Sequence, residues 1–160
     1  MTFYENSIGE SDEWYTPKDI FVALNTTFDL DPCSPGLNHW VPATRIYTKD
    51  DDGLKQSWGD SFVFMNPPFG GRLGHLPWLN KFLAHSNGIA VVRAYTSAHW
   101  FQDFAPLMGC FLFPRGKTKF VRADGTVGRS PGHGIVLFGL GKRAFETLQK
   151  CNLGIFVPNS

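Results

Sequence analysis

The chain has 160 residues, 42% of them hydrophobic and 18% charged, which suits one globular domain with a substantial core. Its net charge of +1 conceals a segregation: residues 1–69 hold 4 Lys/Arg against 11 Asp/Glu, and residues 70–160 hold 11 against 3. No apolar run approaches the roughly 20 residues that span a bilayer, the opening twelve residues are polar and acidic rather than leader-like, and three scattered cysteines give no disulfide framework or zinc spacing.

In chain order, Thr16–Asn25 reads as a short helix, with Thr16 as its cap, Pro17 in its first turn, and Ile20, Phe21 and Leu24 on its apolar face. Phe28–Asp31 is a short strand stopped by Pro32. Thr44–Thr48 is a second strand, and Ser61–Met65 a buried third ended by two prolines. Leu76–Ser86 is predicted helical. Gly88–Tyr95 is rich in strand formers, and Ser97–Pro106 is again helical. Cys110–Phe113 and Gly134–Leu140 read as strands around a Gly- and Arg/Lys-rich loop. Lys142–Lys150 is a last helix and Gly154–Pro158 a last strand. Helices alternate with buried strands for most of the chain, except at the pair Cys110–Phe113 and Gly134–Leu140, which is joined without a helix. The expected fold is therefore α/β, a mainly parallel sheet with a C-terminal antiparallel hairpin, in a single domain over residues 1–160.

Ligands of such sheets bind beyond the C-terminal ends of the strands. Asp31-Pro32-Cys33 and Asn66-Pro67-Pro68-Phe69 both fall at such ends and are expected to face one cleft. The second run carries the stronger signal. An exocyclic amine on a purine is a poor nucleophile because its lone pair is delocalised into the ring. Two acceptors aimed at its two N–H bonds favour a tetrahedral nitrogen and release the lone pair. The side-chain oxygen of Asn66 and the carbonyl of Pro67 suit that task, with the proline rings fixing φ. The effect is electrostatic preorganisation, since Asn has no titratable base. Phe69 supplies a ring face for an extruded base.

The Asp31 loop lacks the usual Gly-rich fingerprint and has only Gly36 nearby. A carboxylate there suits a ligand's amino group. Tyr47, Asp50, Asp51, Asp52, Gly53 and Leu54 form an acidic turn ahead of Trp58. Neither it nor the five histidines shows metal-ligand spacing, so no metal is expected. The basic half is the footprint of a polyanion binder and the acidic half that of a site for a cation.

These pieces, in this order, resemble the phage-type DNA N-6-adenine methyltransferases, the small Dam-like proteins of phages and prophages. The resemblance runs from about Asp12 to Gly139. Asp12-Glu13-Trp14-Tyr15-Thr16-Pro17 matches an opening W-x-T-P element, and Phe28 to Cys33 the strand and loop after it. Tyr47-Thr48, Asp52-Gly53-Leu54 and Trp58 match a central element, Asn66 to Gly70 the catalytic loop, and Arg115-Gly116-Lys117 with Phe120 a basic element. The resemblance implies a Rossmann-like class I fold and S-adenosylmethionine as cofactor. It implies that Trp14, Thr16, Pro17, Asp31, Pro32, Cys33 and Asn66 bind that cofactor, and that Asn66, Pro67, Pro68 and Phe69 are catalytic. Asp52 is assigned to the adenosine part, with Asp50 and Asp51 left as alternatives. Double-stranded DNA is the implied partner, in the cytoplasm of a bacterial host. The basic loop 115–133 stands in for a recognition domain through Arg115, Lys117, Lys119, Arg122 and Arg129, joined by Arg72.

Three other readings share these motifs. A protein-glutamine N-methyltransferase is expected to show a Gly-rich cofactor loop and an N-terminal helical domain, and neither is visible. Cytosine N4 is another target, although Ser commonly leads that loop. A decayed, DNA-binding scaffold is opposed by the intact Asn66-Pro67-Pro68-Phe69.

Overall fold

The computed structural model describes residues 15–36, 39–68, 74–116, 118–121 and 134–159. Among them, the order is α1 (Lys18–Leu24), β1 (Phe28–Asp31), β2 (Ala43–Ile46), β3 (Val63–Met65), α2 (Leu76–His85), β4 (Gly88–Arg93) and α3 (His99–Phe104) with a 3₁₀ turn at Ala105–Leu107. It continues with β5 (Cys110–Pro114), β6 (Ile135–Leu140), α4 (Lys142–Lys150) and β7 (Gly154–Pro158). No helix among the described residues is long and apolar enough to cross a membrane.

One seven-stranded sheet has the order β2-β1-β3-β4-β6-β5-β7. The pairs β2–β1, β1–β3 and β3–β4 are parallel. The pairs β4–β6, β6–β5 and β5–β7 are antiparallel. The expected β5/β6 pairing is present, but the antiparallel part is larger than a hairpin. β6 inserts between β4 and β5, and β7 adds outside β5. By direction, β1 to β5 run together against β6 and β7.

The central strands are buried on both faces, so they read as continuous apolar runs. Alternate residues feed two half-cores. Phe28, Phe64, Ile89, Val91 and Leu137 pack with Ile20, Phe21 and Leu24 of α1 and Ala144 and Leu148 of α4. Leu30, Val63, Met65, Ala90, Val92 and Phe138 pack with Leu79 and Phe82 of α2 and Trp100 and Phe101 of α3. Phe82 is wholly buried, and its truncation to Ala is expected to cost about 3–5 kcal/mol. Gly139 admits α4 to the sheet, because a Cβ there would lie 2.5 Å from the Cys110 sulfur and 2.9 Å from Leu148.

The head of α1 differs from the expected one. The helix starts at Lys18, Pro17 holds the N-cap position with extended backbone (ψ 152°), and no side chain caps it. The Thr16 hydroxyl is engaged elsewhere, by a partner fifty residues away that helical periodicity cannot reveal.

Candidate active site

Parallel pairing brings the C-terminal ends of β1, β3 and β4 to one edge of the sheet. β1 ends at Asp31, β3 gives way to Asn66, and β4 ends at Arg93. β5 runs the same way, so Arg115 emerges on that edge. β6 begins there after Gly134, whose carbonyl accepts the Ala94 N–H at 3.2 Å. The two ends of the basic loop thus lie on the side of the sheet that carries Asp31 and Asn66.

Asn66 is gripped at two points. Its Nδ2 donates to Thr16 Oγ1 at 3.1 Å, and its backbone carbonyl accepts the Cys33 thiol at 3.2 Å. Pro67 is buried and Pro68 half-buried behind it. The Cys33 N–H in turn donates to Asp31 Oδ1 at 3.2 Å. Thr16, Asp31, Cys33 and Asn66 therefore form one connected cluster that joins the ends of β1 and β3. The backbone of Tyr47 clamps the Asp31 loop: its N–H donates to the Asp31 carbonyl and its carbonyl accepts from Ser34, both at 2.9 Å. Where a Gly-rich turn is missing, the Gly36 N–H donates to Ser34 Oγ at 3.1 Å, with Gly36 at φ 106°.

Asp31 is only 2% exposed. Loss of hydration pushes its carboxyl up to about 7, against the opposing hydrogen bond from Cys33. The Cys33 thiol is driven well above its ordinary value by burial and by the neighbouring Asp31 charge. It therefore stays protonated, as a donor to Asn66 must be. A buried carboxyl poised to ionise can receive a cationic group.

The acidic turn resolves into distinct tasks. The Asp51 carboxylate accepts from the Thr48 N–H at 2.8 Å and from its hydroxyl at 3.0 Å. Asp52 has φ 55° and lies 3.5 Å from Lys55 Nζ, with its side chain 43% exposed. Next to it, Gly53 packs so closely that a Cβ would meet the Pro32 carbonyl at 2.0 Å. Trp58 Nε1 donates to the Gly53 carbonyl at 2.9 Å and holds the contact. The turn therefore rests directly against the Asp31-Pro32-Cys33 loop.

The basic element is tied in at its far end. Tyr15 and Val121 exchange backbone hydrogen bonds of 2.8 and 3.0 Å. Thr118 and Phe120 are buried, which leaves Lys119 between them pointing outward, and Arg115 is exposed. Pro17 is half-buried at the head of α1. Trp14, Phe69, Arg72, Lys117, Arg122 and Arg129 lie outside the described residues.

Two features were not expected from the sequence. Trp40 Nε1 donates to the Thr16 carbonyl at 2.7 Å, and its ring meets Tyr15 edge-on at 5.4 Å. Nothing local marks this, because Trp40 sits in an irregular connection. The second is the group at the end of β4, where the His75 ring lies edge-on to Trp100 at 4.4 Å. Burial and then the Arg93 charge hold that imidazole below its ordinary value. Arg93 was findable, as a cation closing an apolar strand at the ligand-bearing edge.

A family model described as DNA N-6-adenine-methyltransferase (Dam) matches residues 6–138. No curated protein and no solved structure matches the chain.

Proposed function

The chain belongs to the DNA N-6-adenine-methyltransferase (Dam) family, and from that premise we propose that it methylates the exocyclic N6 of a flipped adenine in double-stranded DNA, with S-adenosylmethionine as donor. The carrying observation is that Asn66, at the end of β3, is bonded to both Thr16 and Cys33, beside the buried carboxyl of Asp31. In support of a Rossmann-like class I fold, β1 to β5 run together, β6 is inserted against them, and the cluster lies at their C-terminal edge.

Asn66 Oδ1 and the Pro67 carbonyl accept the two N–H bonds of the target amine. Those contacts strengthen as the nitrogen pyramidalises, so they lower the barrier more than they stabilise the ground state. Because Asn66 has no base, the proton that the nitrogen sheds after methylation passes to solvent. Phe69 stacks on the base. Asp31 fits the donor's cationic amino group, with Pro32, Cys33, Trp14, Thr16 and Pro17 around it and Asp52 toward the adenosine. When bound, S-adenosylmethionine supplies a methyl group on an electrophilic sulfonium centre. Arg72, Arg115, Lys117, Lys119, Arg122 and Arg129 neutralise phosphates.

Single-turnover methylation of a duplex by the parent and by Asn66→Ala tests this reading. The variant should lose about 100- to 1000-fold in rate while its melting curve and S-adenosylmethionine affinity stay near parental. Methylation at the parent rate would remove Asn66 from the chemistry. A parallel fall in stability and rate would make the loop structural.

A further inference from the structure

We propose that Thr16 is a positioning residue, whose hydroxyl holds the Asn66 side-chain amide in place at the end of β3. This rests on Asn66 acting in methyl transfer as read above.

An acceptor preorganises the target amine only if its own torsions are fixed. A threonine hydroxyl both donates and accepts, so it can hold a side-chain amide by either end. In the structure the nitrogen of Asn66 faces Thr16 Oγ1 at 3.1 Å. The oxygen branches from the same carbon and so points away from Thr16.

Thr16 is suited to hold a torsion. It is only 3% exposed, and its β-branched side chain has a stiff χ1. Its carbonyl accepts from Trp40 Nε1 at 2.7 Å, Tyr15 before it is bridged to Val121, and Pro17 after it has a fixed φ of −66°. Its hydroxyl forms no cap with α1, although it precedes the cap position by one residue. The Cys33 thiol meanwhile holds the Asn66 carbonyl at 3.2 Å and so orients the peptide that leads into Pro67. Side chain and backbone of Asn66 are thus held from two separate elements. The same residue is assigned to cofactor binding by family resemblance, and the two roles predict different kinetics.

The test uses Thr16→Val, which keeps the shape and removes the hydroxyl, and Thr16→Ser, which restores a hydroxyl on a looser side chain. Rates on duplex DNA at saturating S-adenosylmethionine and DNA are measured beside calorimetric S-adenosylmethionine affinity. The Asn66 side-chain amide is followed by NMR, assigned through its loss in Asn66→Ala. For Thr16→Val a fall in kcat approaching 100-fold is expected, as for a misplaced catalytic group, with S-adenosylmethionine Kd near parental and a shifted Asn66 amide signal. Thr16→Ser should recover most of the rate. Parental kcat in Thr16→Val would overturn the proposal and leave the functional reading standing. Weakened S-adenosylmethionine binding with intact saturated kcat would overturn it in favour of a cofactor contact. If Thr16→Val does not fold, Thr16→Ala removes the same hydroxyl: a fall in saturated kcat with parental S-adenosylmethionine affinity supports the proposal, and parental kcat, or weakened affinity with intact saturated kcat, overturns it. A parent protein that methylates no adenine would bring down the functional reading itself.

Discussion

The two halves of the sheet's C-terminal edge differ in charge and in construction. On the β1 side, Asp31 is buried and the turn from Asp50 to Asp52 packs against its loop through Gly53. These strands are parallel and short. On the β4–β6–β5 side the strands are antiparallel, and the cations Arg93 and Arg115 stand at their ends. Among the described residues, the contrast runs in the same sense as the charge segregation between residues 1–69 and 70–160. On the proposed function, a site for a cationic donor and a surface for a polyanion lie side by side, with Asn66 at the join.

The largest effect that should break this division comes from Asp31. Its carboxyl, at about 7 in the folded protein against 3.8 ordinarily, holds its proton more tightly in the folded than in the unfolded chain. Stability therefore falls as pH rises from about 4 to about 7 and is flat above, by up to about 4 kcal/mol for a shift of that size. Asp31→Asn cannot ionise, so it should melt higher than the parent at pH 8 and lose this slope. The same variant should bind S-adenosylmethionine more weakly, by about 1.5–3 kcal/mol for a lost charged hydrogen bond, and should lack the tightening that the parent shows as pH rises through 7. Melting curves and calorimetry from pH 5 to 8 read both. A variant that is less stable at pH 8 and binds normally would place the cation site elsewhere.

On the other side, reversing charge at Arg115, Lys117 and Lys119 should flatten the salt dependence of DNA binding by about three units of slope, if each meets one phosphate. S-adenosylmethionine affinity should not move. An unchanged slope would shift the DNA surface toward Arg72, Arg122 and Arg129. The smallest effect is expected at Phe69→Ala, which should weaken binding of an extruded base by about 1–3 kcal/mol, while Phe69→Tyr keeps the ring face and most of the activity. Equal losses in the two variants would contradict stacking.

The same contrast governs what the sequence could disclose. Phe28–Asp31, Lys142–Lys150 and Gly154–Pro158 fall where periodicity and proline or glycine boundaries put them. Both chemical loops lie at strand ends, and strand ends are legible locally. Strand order is not. Nothing in Ile135–Leu140 announces that it inserts between β4 and β5, because a fully buried strand has the same apolar pattern beside any neighbour. Thr16 illustrates the limit within the site. Thr-Pro before an apolar helix reads as a cap, and only the folded chain shows its hydroxyl spent on Asn66. Trp40 was invisible for the same reason, since its partner is a backbone carbonyl 24 positions away.

The methylated atom separates adenine N6 transfer from every rival reading. The most direct measurement is transfer of labelled methyl from S-adenosylmethionine to an unmethylated duplex, followed by digestion to nucleosides. Label is expected in N6-methyladenine, and none in N4-methylcytosine or in protein. Label in N4-methylcytosine or in protein, or no transfer to DNA at all, would contradict adenine N6 transfer.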